Sequence, residues 1–247
     1  LGTIQPSQSD YFQAVKGGGH GDYKLITLAP SSVQEMYDFV SIGFDLAFKY
    51  RNPVMILSDG AIGQMMEKVE LDESVPRLKE EEIAEKYPWA TLGKKPGRDH
   101  IIVTSLELDS ARQEQVNLRI QAKYREVEKN EQRFEKMECD DAEYALIAFG
   151  TSARICEKAL QLGRAKGIKV GLLRPITLYP FPVDAIKEMM KKVKGALVVE
   201  MNAGQMTEDV RLVVEGKIKV EHYGRFGGIM PSSEEVLKAL EQKIIGG

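Results

Sequence analysis

The residues best suited to chemistry stand in a glycine-rich stretch near the start of the chain, Gly17-Gly18-Gly19-His20-Gly21-Asp22. Backbone without side chains can approach a ligand closely or turn sharply. His20 could hold a carboxylate or relay a proton, because an unperturbed imidazole titrates near neutrality; the alternative is a hydrogen-bonded loop histidine at a subunit interface. Asp22 could orient His20, although an aspartate after glycine commonly caps or turns the chain.

Further polar residues flank the apolar segments of the chain. A polar run precedes the glycine stretch: Thr3, Gln5, Ser7, Gln8, Ser9 and Asp10. Asp59 and Gln64 follow one apolar segment, and Asn202, Gly204 and Gln205 follow another. In parallel α/β sheets, functional groups collect at the carboxyl ends of the strands. A helix beginning near Gln205 could attract an anion at its N-terminus; the alternative is capping by Asn202 together with an intersubunit contact.

The elements that must position the first group form a βαβ unit. We predict strands over Leu25–Ala29 and Val54–Leu57, separated by a helix that a capping box, Ser32 to Glu35, begins and that Asn52-Pro53 ends. Three- and four-residue spacing predicts the buried face of this helix. That face comprises Val33, Met36, Tyr37, Val40, Phe44 and Ala47.

Residues 76 to 140 are rich in charge and poorly patterned. Glu80-Glu81-Glu82 and the loop from Gly93 to Arg98 are typical of an exposed connection. From Ser110 to Glu138, apolar residues recur as one stripe on a charged helix that would lie across a surface. The stripe comprises Val116, Ile120, Tyr124, Val127, Phe134 and Met137.

Residues 141 to 247 alternate strand and helix patterns. We predict strands over Tyr144–Phe149, Lys169–Leu173, Ala196–Glu200 and Ile218–Tyr223. Gly150-Thr151-Ser152 begins one helix, and a capping box of Ser232 and Glu235 begins another. This alternation predicts a parallel sheet covered on both faces, with right-handed crossovers. The chain thus divides into parts 1–75, 76–140 and 141–247.

Composition excludes several classes of function. With a formal net charge of −3, the chain has no excess of positive charge to bind nucleic acid. No apolar run approaches the roughly 18 residues of a membrane span. The two cysteines, Cys139 and Cys156, form no motif for an iron–sulfur cluster or zinc. We therefore expect no metal site on this chain and a cytoplasmic location, with His100 and His222 in structural roles.

Six ordered segments carry a resemblance to a known family: LGTIQPSQSDYFQAVKGGGHGDY, APSSVQEMYDF, DLAFKYRNPVMILSDGAIGQMME, AFGTSARI, GLLRPITLYPFP and EMNAGQMTEDVR. Together they resemble the alpha subunit of 2-oxoacid:ferredoxin oxidoreductases, which are related to pyruvate:ferredoxin oxidoreductase. The nearest type is the 2-oxoisovalerate subunit, with the 2-oxoglutarate subunit close behind. Agreement spans almost the whole chain.

The resemblance implies the fold and the division of labour. Residues 1–75 would be the C-terminal half of a thiamine-diphosphate pyrimidine-binding domain, 76–140 a charged linker with a helix, and 141–247 a transketolase C-terminal-like α/β domain. The family decarboxylates a 2-oxoacid, transfers the acyl group to coenzyme A and passes electrons to ferredoxin. Thiamine diphosphate would be shared with a beta subunit, while Mg²⁺ and iron–sulfur clusters would lie on that subunit and on small gamma and delta subunits.

The resemblance also implies roles for individual residues. Thr3, Ile4 and Gln5 would continue a substrate-side loop, with Gln5 as a polar contact to substrate or cofactor; the alternative is that they solvate a turn. Asp59 and Gln64 would make cofactor-side or beta-subunit contacts, and the helix after Gln205 could receive a phosphate of coenzyme A. The family's catalytic glutamate would lie upstream of Leu1. We therefore expect these 247 residues to be inactive alone.

Two other functions stay open. One is a non-catalytic assembly subunit whose loops complete the site of a partner. The other is a nucleotide-binding adaptor that uses GGGHG as a phosphate cradle, although the chain lacks the Walker lysine and the spaced GxGxxG signature.

Overall fold

The computed structural model describes residues 5–72, 74, 78–94, 96–97 and 99–246. Contacts divide the chain into two compact units, Leu1–Val69 with Glu126–Gly247, and Glu70–Arg125. In the described part of the chain the strands are β1 (Ile26–Leu28), β2 (Val54–Ile56), β3 (Phe134–Met137), β4 (Tyr144–Ala148), β5 (Val170–Pro175), β6 (Thr177–Tyr179), β7 (Gly195–Glu200) and β8 (Lys219–Gly224). The helices there are α1 (Tyr11–Lys16), α2 (Val33–Tyr50), α3 (Gly60–Gln64), α4 (Glu80–Lys86), α5 (Ser110–Asn130), α6 (Gly150–Ala165), α7 (Val183–Met190), α8 (Gln205–Val214) and α9 (Ser233–Leu240), followed by a π-helical turn, Glu241–Ile245.

The small sheet of the first unit has the order β2-β1-β6. Strands β1 and β2 are parallel, with Ile26 opposite Val54, as the βαβ interpretation predicts. Strand β6 runs antiparallel to β1, so Leu28 lies opposite Thr177. This sheet therefore takes one strand from the C-terminal part of the chain. The three-part division of the sequence stays a prediction.

Helix α2 begins and ends where the sequence predicts, but it buries a different face. The Ser32 side chain accepts a hydrogen bond from the Glu35 N–H at 3.1 Å, and the helix ends at Tyr50 before Arg51, whose φ is 45°. The predicted apolar face is wrong: Phe39, Gly43 and Leu46 are buried, whereas the expected members Val40 and Phe44 are 46% and 64% exposed.

The reason is that α2 is apolar on most sides, so spacing alone does not select a face. The buried face is the one that packs against strand β2: a Cβ atom at Gly43 would lie at an ordinary van der Waals distance, 3.5 Å, from Val54 Cγ1.

The large sheet of the same unit has the order β3-β5-β4-β7-β8. Strands β5, β4, β7 and β8 are parallel, which confirms the predicted parallel sheet. Side chains alternate between its two faces: Leu146 packs with the cores of α6 and α9, while Ile147 packs in the cluster that contains α7 and α8 residues. That second cluster also holds Ile26 and Leu178 of the small sheet, so one apolar core joins both sheets.

The predicted long helix from Ser110 to Glu138 is wrong in its last part. Helix α5 ends at Asn130, and Phe134–Met137 forms β3, an edge strand antiparallel to β5. The break follows from the pairing of Phe134–Met137 with β5. At the end of the helix the buried Glu131 carboxylate accepts hydrogen bonds from Lys49 Nζ at 2.7 Å and Tyr50 Oη at 2.6 Å.

The second unit, Glu70–Arg125, contains α4 and most of α5, and no strand lies within its described residues. Glu80–Glu82 belong to the first turn of α4. Several large apolar side chains are exposed in this unit: Leu71, Leu78, Ile101, Ile102, Val103, Leu106, Leu108 and Leu118. Over the described parts of both units, no helix is long and apolar enough to cross a membrane.

Candidate functional site at the carboxyl ends of the strands

Segment Gln5–Ser9 lies between the carboxyl ends of strands from both sheets. At one end, a Cβ atom on Gly60, the first residue of α3, would lie 3.6 Å from the Gln5 carbonyl carbon. At the other end, the Ser9 carbonyl accepts a hydrogen bond from Gln205 Nε2 at 2.9 Å. The segment therefore brings Gln5, Asp59 and the α8 N-terminus into one neighbourhood.

Gln8 is the central side chain of this segment and is buried. Its Nε2 donates to the Phe149 carbonyl at 2.8 Å, while its Oε1 accepts from Ser152 Oγ at 2.8 Å and from the Met201 N–H at 3.0 Å. Its backbone is held as well: the Gln8 N–H donates to the Met201 carbonyl at 3.1 Å, and Asn202 Nδ2 donates to the Gln8 carbonyl at 2.8 Å. The ends of β4 and β7 are thereby tied to one amide.

Asp59 ties two helix N-termini together. Its Oδ1 accepts from the N–H groups of Ala61 and Ile62 at 3.0 and 3.3 Å, which caps α3. The Thr151 N–H donates to Oδ2 at 3.0 Å and Thr151 Oγ1 donates to Oδ1 at 2.6 Å, at the start of α6. A carboxylate is stabilised at such positions by the helix dipoles. We call Gln8, Asp59 and their partners the Gln8–Asp59 joint.

Gly150 allows the two halves of this joint to meet. Its φ is 54°, in the left-handed region that favours glycine. A Cβ atom there would lie 3.0 Å from Gln8 Nε2 and 3.1 Å from Asp59 Oδ2. The AFGTS segment therefore serves close packing around a side-chain amide and a carboxylate.

Asn202, Gly204 and Gln205 use their polar groups within the chain. Asn202 Oδ1 accepts from the N–H groups of Gly204 and Gln205 at 2.8 and 3.1 Å, and Gln205 Oε1 accepts from the Phe12 N–H at 2.7 Å. The N-cap position of α8 is Gly204, with φ of 99°, and Asn202 bonds the N–H groups of this residue and of the first helical residue from two positions upstream. The intersubunit contact stays a prediction.

The N-terminus of α8 already holds an internal anion. The Glu200 carboxylate is fully buried and accepts from the N–H groups of Met206 and Thr207 at 2.8 and 3.0 Å, and from Thr207 Oγ1 at 2.8 Å. The N–H groups of residues 204 to 207 are thus all paired. An external phosphate would have to compete with Glu200 for these donors.

The remaining sequence candidates lie apart from the buried joint. His20 and Asp22 are exposed on the loop between α1 and β1, which the Gly18 N–H closes by donating to Tyr23 Oη at 2.7 Å. Gln64 is exposed at the end of α3. Thr3 and Ile4 lie outside the described residues. The roles expected of all five stay predictions.

A second joint, which the sequence analysis missed, centres on Arg174. This guanidinium at the end of β5 is 2% exposed. It donates bidentately to Glu35, with Nη1–Oε2 at 2.8 Å and Nη2–Oε1 at 2.5 Å, and Nη1 also donates to Ser31 Oγ. Its Nε lies 3.0 Å from Glu135 Oε2, an ion pair without hydrogen-bond alignment. We call Arg174, Ser31, Glu35 and Glu135 the Arg174–Glu35 joint.

Burial and pairing act in opposite directions on the pKa of Glu35 at this joint. Burial opposes the charged form of Glu35, but hydrogen bonds from Arg174 and Ser31 outweigh it and lower the pKa of the carboxyl. A signal was present in the sequence, since GLLRP ends an apolar strand with an arginine. A charged residue there is rarely fully buried unless it is paired.

The open space at the Gln8–Asp59 joint is small. The cleft has a volume of ≈ 20 Å³, and it is lined by Ser7, Gln8, Asp10, Leu57, Ser58, Asp59, Phe149 and Gly150. That is room for about one water molecule, against roughly 300–1,000 Å³ for small-molecule sites. Among the described residues, no group of three or more His, Cys, Asp or Glu side chains could hold a metal ion.

Two family models match successive parts of the chain. Residues 2–138 match the thiamine-diphosphate-binding domain of pyruvate flavodoxin/ferredoxin oxidoreductases. Residues 142–236 match core domain II of pyruvate:ferredoxin oxidoreductase.

Curated relatives agree with both models. The chain is 44% identical to ketoisovalerate oxidoreductase subunit VorB of Methanothermobacter thermautotrophicus, covering 98% of this chain and 67% of the relative. It is 35% identical to 2-oxoglutarate synthase subunit KorA of Methanocaldococcus jannaschii, covering 96% of this chain and 69% of the relative. The chain thus spans about two thirds of the length of these relatives.

A solved structure has the same fold. It is the 2-oxoglutarate:ferredoxin oxidoreductase of Magnetococcus marinus with 2-oxoglutarate, coenzyme A and succinyl-CoA bound, with a TM-score of 0.77 and 25% identity over 97% of this chain and 46% of that one. The sequence resemblance is confirmed at the level of the family. The chain belongs to the 2-oxoacid:ferredoxin oxidoreductase subunits that carry a thiamine-diphosphate-binding domain.

Proposed function

We propose that this chain is the alpha-type subunit of an enzyme that oxidatively decarboxylates a 2-oxoacid to its acyl-CoA and passes the electrons to ferredoxin. The observation that supports this proposal is the ordered match of both family domains over residues 2–138 and 142–236. The higher identity to the ketoisovalerate relative, 44% against 35%, favours 2-oxoisovalerate over 2-oxoglutarate as the substrate. A cytoplasmic location is part of the same proposal.

The cleft at the Gln8–Asp59 joint does not fit thiamine diphosphate by itself. The cleft beside Asp59 has a volume of ≈ 20 Å³, and the polar atoms of Gln8 and Asp59 are engaged by this chain. We therefore place the cofactor in a site that a beta subunit largely forms, with Mg²⁺ and iron–sulfur clusters on partner subunits.

This chain's contribution, in our proposal, is to present polar groups at the rim of that shared site. Gln5 is exposed beside the start of α3, and Ser7 and Asp10 line the cleft. Exposed groups on a rigidly held segment can contact a substrate without ordering cost at the moment of binding. Gln5 is therefore the first candidate for a substrate contact.

Reconstitution tests the proposal. The full-length subunit and its beta, gamma and delta partners would be assembled, and reduction of ferredoxin would be followed with 2-oxoisovalerate, 2-oxoglutarate and pyruvate in turn. We expect coenzyme A-dependent reduction, fastest with 2-oxoisovalerate. Absence of reduction with every 2-oxoacid, in a complex with intact clusters and bound thiamine diphosphate, would contradict the proposal.

A non-catalytic assembly role is the second candidate. The exposed Val40 and Phe44 on α2 favour it, because large apolar side chains on one helix face are typical of protein interfaces. Substitution of Gln5 by Ala separates the two roles. It should alter the KM for the 2-oxoacid if the chain contacts substrate, and leave all kinetic constants unchanged if the chain only supports assembly.

A further inference from the structure

Exposure alternates along the segment between the two sheets. Gln5 and Ser7 are exposed, while Pro6 and Gln8 are buried. Residues of this segment lie outside any helix or strand, so no backbone ladder holds them. Gln8 and its neighbours in the joint must therefore hold the exposed pair in place.

The contacts of Gln8 suit glutamine and no other side chain. Its Nε2 needs an acceptor, the Phe149 carbonyl, and its Oε1 needs two donors, Ser152 Oγ and the Met201 N–H. Glutamate lacks the donor, and asparagine is one methylene shorter. One side chain thus connects the end of β4, the start of α6 and the end of β7.

We propose that Gln8 is a positioning residue that sets where Gln5 and Ser7 stand at the substrate site. This inference rests on the proposed function, because it takes a 2-oxoacid as the ligand of that site. Gln8 itself touches no substrate: its side chain is buried and satisfied within the chain. Asn202 anchors the same segment from the other side through the Gln8 carbonyl.

Two variants of the full-length subunit in the intact complex test this role. Gln8→Ala removes the three side-chain bonds and leaves both backbone bonds, so the fold should persist. Asn202→Asp keeps the Oδ1 acceptor for Gly204 and Gln205 but loses the donor to the Gln8 carbonyl. We expect each variant to raise the KM for the 2-oxoacid by about tenfold, since loss of a buried hydrogen bond shifts an equilibrium by roughly that factor.

The KM for coenzyme A should stay unchanged in both variants, measured at a temperature well below their unfolding transitions. Gln161→Ala is the matched control: this glutamine is exposed on α6 and lies outside both joints. It should leave all constants unchanged.

Three outcomes would overturn the inference. The first is activity that falls only in proportion to the folded fraction, with the KM for the 2-oxoacid unchanged. The second is a shift in the KM for coenzyme A alone in Asn202→Asp, which would assign Asn202 to that ligand. The third is a KM for the 2-oxoacid that stays at the wild-type value in Gln8→Asn, whose amide is one methylene shorter. If the wild-type complex oxidises no 2-oxoacid, the proposed function itself has failed, and these variants do not enter into that result.

Discussion

The two joints of the first unit both lie at the carboxyl ends of strands, but they differ in chemistry. In the Gln8–Asp59 joint, an amide and a carboxylate are held by hydroxyl and N–H donors of neutral groups. In the Arg174–Glu35 joint, a buried guanidinium is paired with two carboxylates. The buried charge also differs: Asp59 of the first joint is held by neutral donors, whereas Arg174 of the second is held by opposite charges and depends on its carboxylate partners being present.

This difference bears on what each joint is suited to do. Directional bonds from the Gln8 amide to three elements hold the Gln5–Ser9 segment in a single place. The ion-paired joint instead fixes the start of α2 against the end of β5 and is sensitive to pH. We therefore expect the first joint to affect substrate binding and the second to affect stability.

The largest expected effect is on stability, from removal of Arg174. Arg174→Ala would leave Glu35 and Glu135 without their common partner; because these carboxylates are 23% and 45% exposed, the loss in the free energy of unfolding should lie at the low end of the range for buried pairs, about 3 kcal/mol. Denaturant titration of the chain would measure it. Lys166→Ala is the control, because Lys166 and Glu241 form an exposed pair worth less than about 1 kcal/mol. Equal losses from the two substitutions would contradict the distinction between buried and exposed pairing.

Removal of the Asp59 carboxylate should have a smaller effect. Asp59→Ala deletes the acceptor for four bonds at the starts of α3 and α6, and loss of a helix cap costs about 1 kcal/mol for each helix. Thermal unfolding would detect a loss near 2 kcal/mol. Asp184→Ala, at an exposed acidic position in the first turn of α7, should change stability by less than about 0.5 kcal/mol. A loss for Asp184→Ala as large as that for Asp59→Ala would show that the capping bonds are not the cause.

The third prediction compares how the stability effects of Glu35 and of Gln8 depend on pH. Because the pKa of Glu35 is lowered in the folded protein, its contribution is fully present above its unfolded pKa of about 4.3 and is lost as pH falls through the folded pKa. The stability difference between wild type and Glu35→Gln should therefore shrink as the pH is lowered from about 6 to about 3. Gln8→Met, which removes only neutral hydrogen bonds, should show a difference that is constant over the same range. A constant difference for Glu35→Gln would contradict the pairing.

The smallest stability effect is expected on the outer face of α2. Phe44→Ala should change the free energy of unfolding by less than about 0.5 kcal/mol, since the ring is exposed, whereas Phe39→Ala should cost about 3 kcal/mol because that ring is buried. Urea denaturation of both variants would measure the two changes in the free energy of unfolding. A larger loss of stability for Phe44→Ala than for Phe39→Ala would instead support the buried face that the apolar spacing predicts. Lower yield of the complex with Phe44→Ala, at unchanged stability, would support a subunit contact on this face.

Much of the first unit follows from local patterns. The strands of the parallel sheet lie within one or two residues of the apolar segments that predict them, because strands buried on both faces are apolar throughout. Ser32 and Ser232 locate helix starts for an equally local reason, a side chain bonding the N–H three residues later. The reciprocal half of the capping box forms at Ser232, whereas the Glu35 carboxylate bonds the Ser31 N–H and Arg174 instead. Of the site, the positions of Asp59 and Asn202 at strand ends followed from the same patterns.

Other features depend on partners distant in sequence. Phe134 and Met137 fit a helical stripe, but pairing with β5 makes them a strand. The buried face of α2 is decided by packing of Leu46 in the core that contains Ile26 of β1. The role of Gln8 depends on Phe149, Ser152 and Met201, more than 140 residues away in the sequence. No local spacing carries this information.

The sequence by itself therefore determined the family, the parallel α/β class and the loops at which polar groups gather, because these rest on ordered motifs and on the periodicity of apolar residues. Only the tertiary structure decided that those loops meet in two joints, that Glu200 occupies the N-terminus of α8, that Asp59 after β2 bonds the start of α6, and that Arg174 of β5 pairs with Glu35 of α2. The physical reason is that buried polar groups require partners, and which donor meets which acceptor is settled only when the chain has packed.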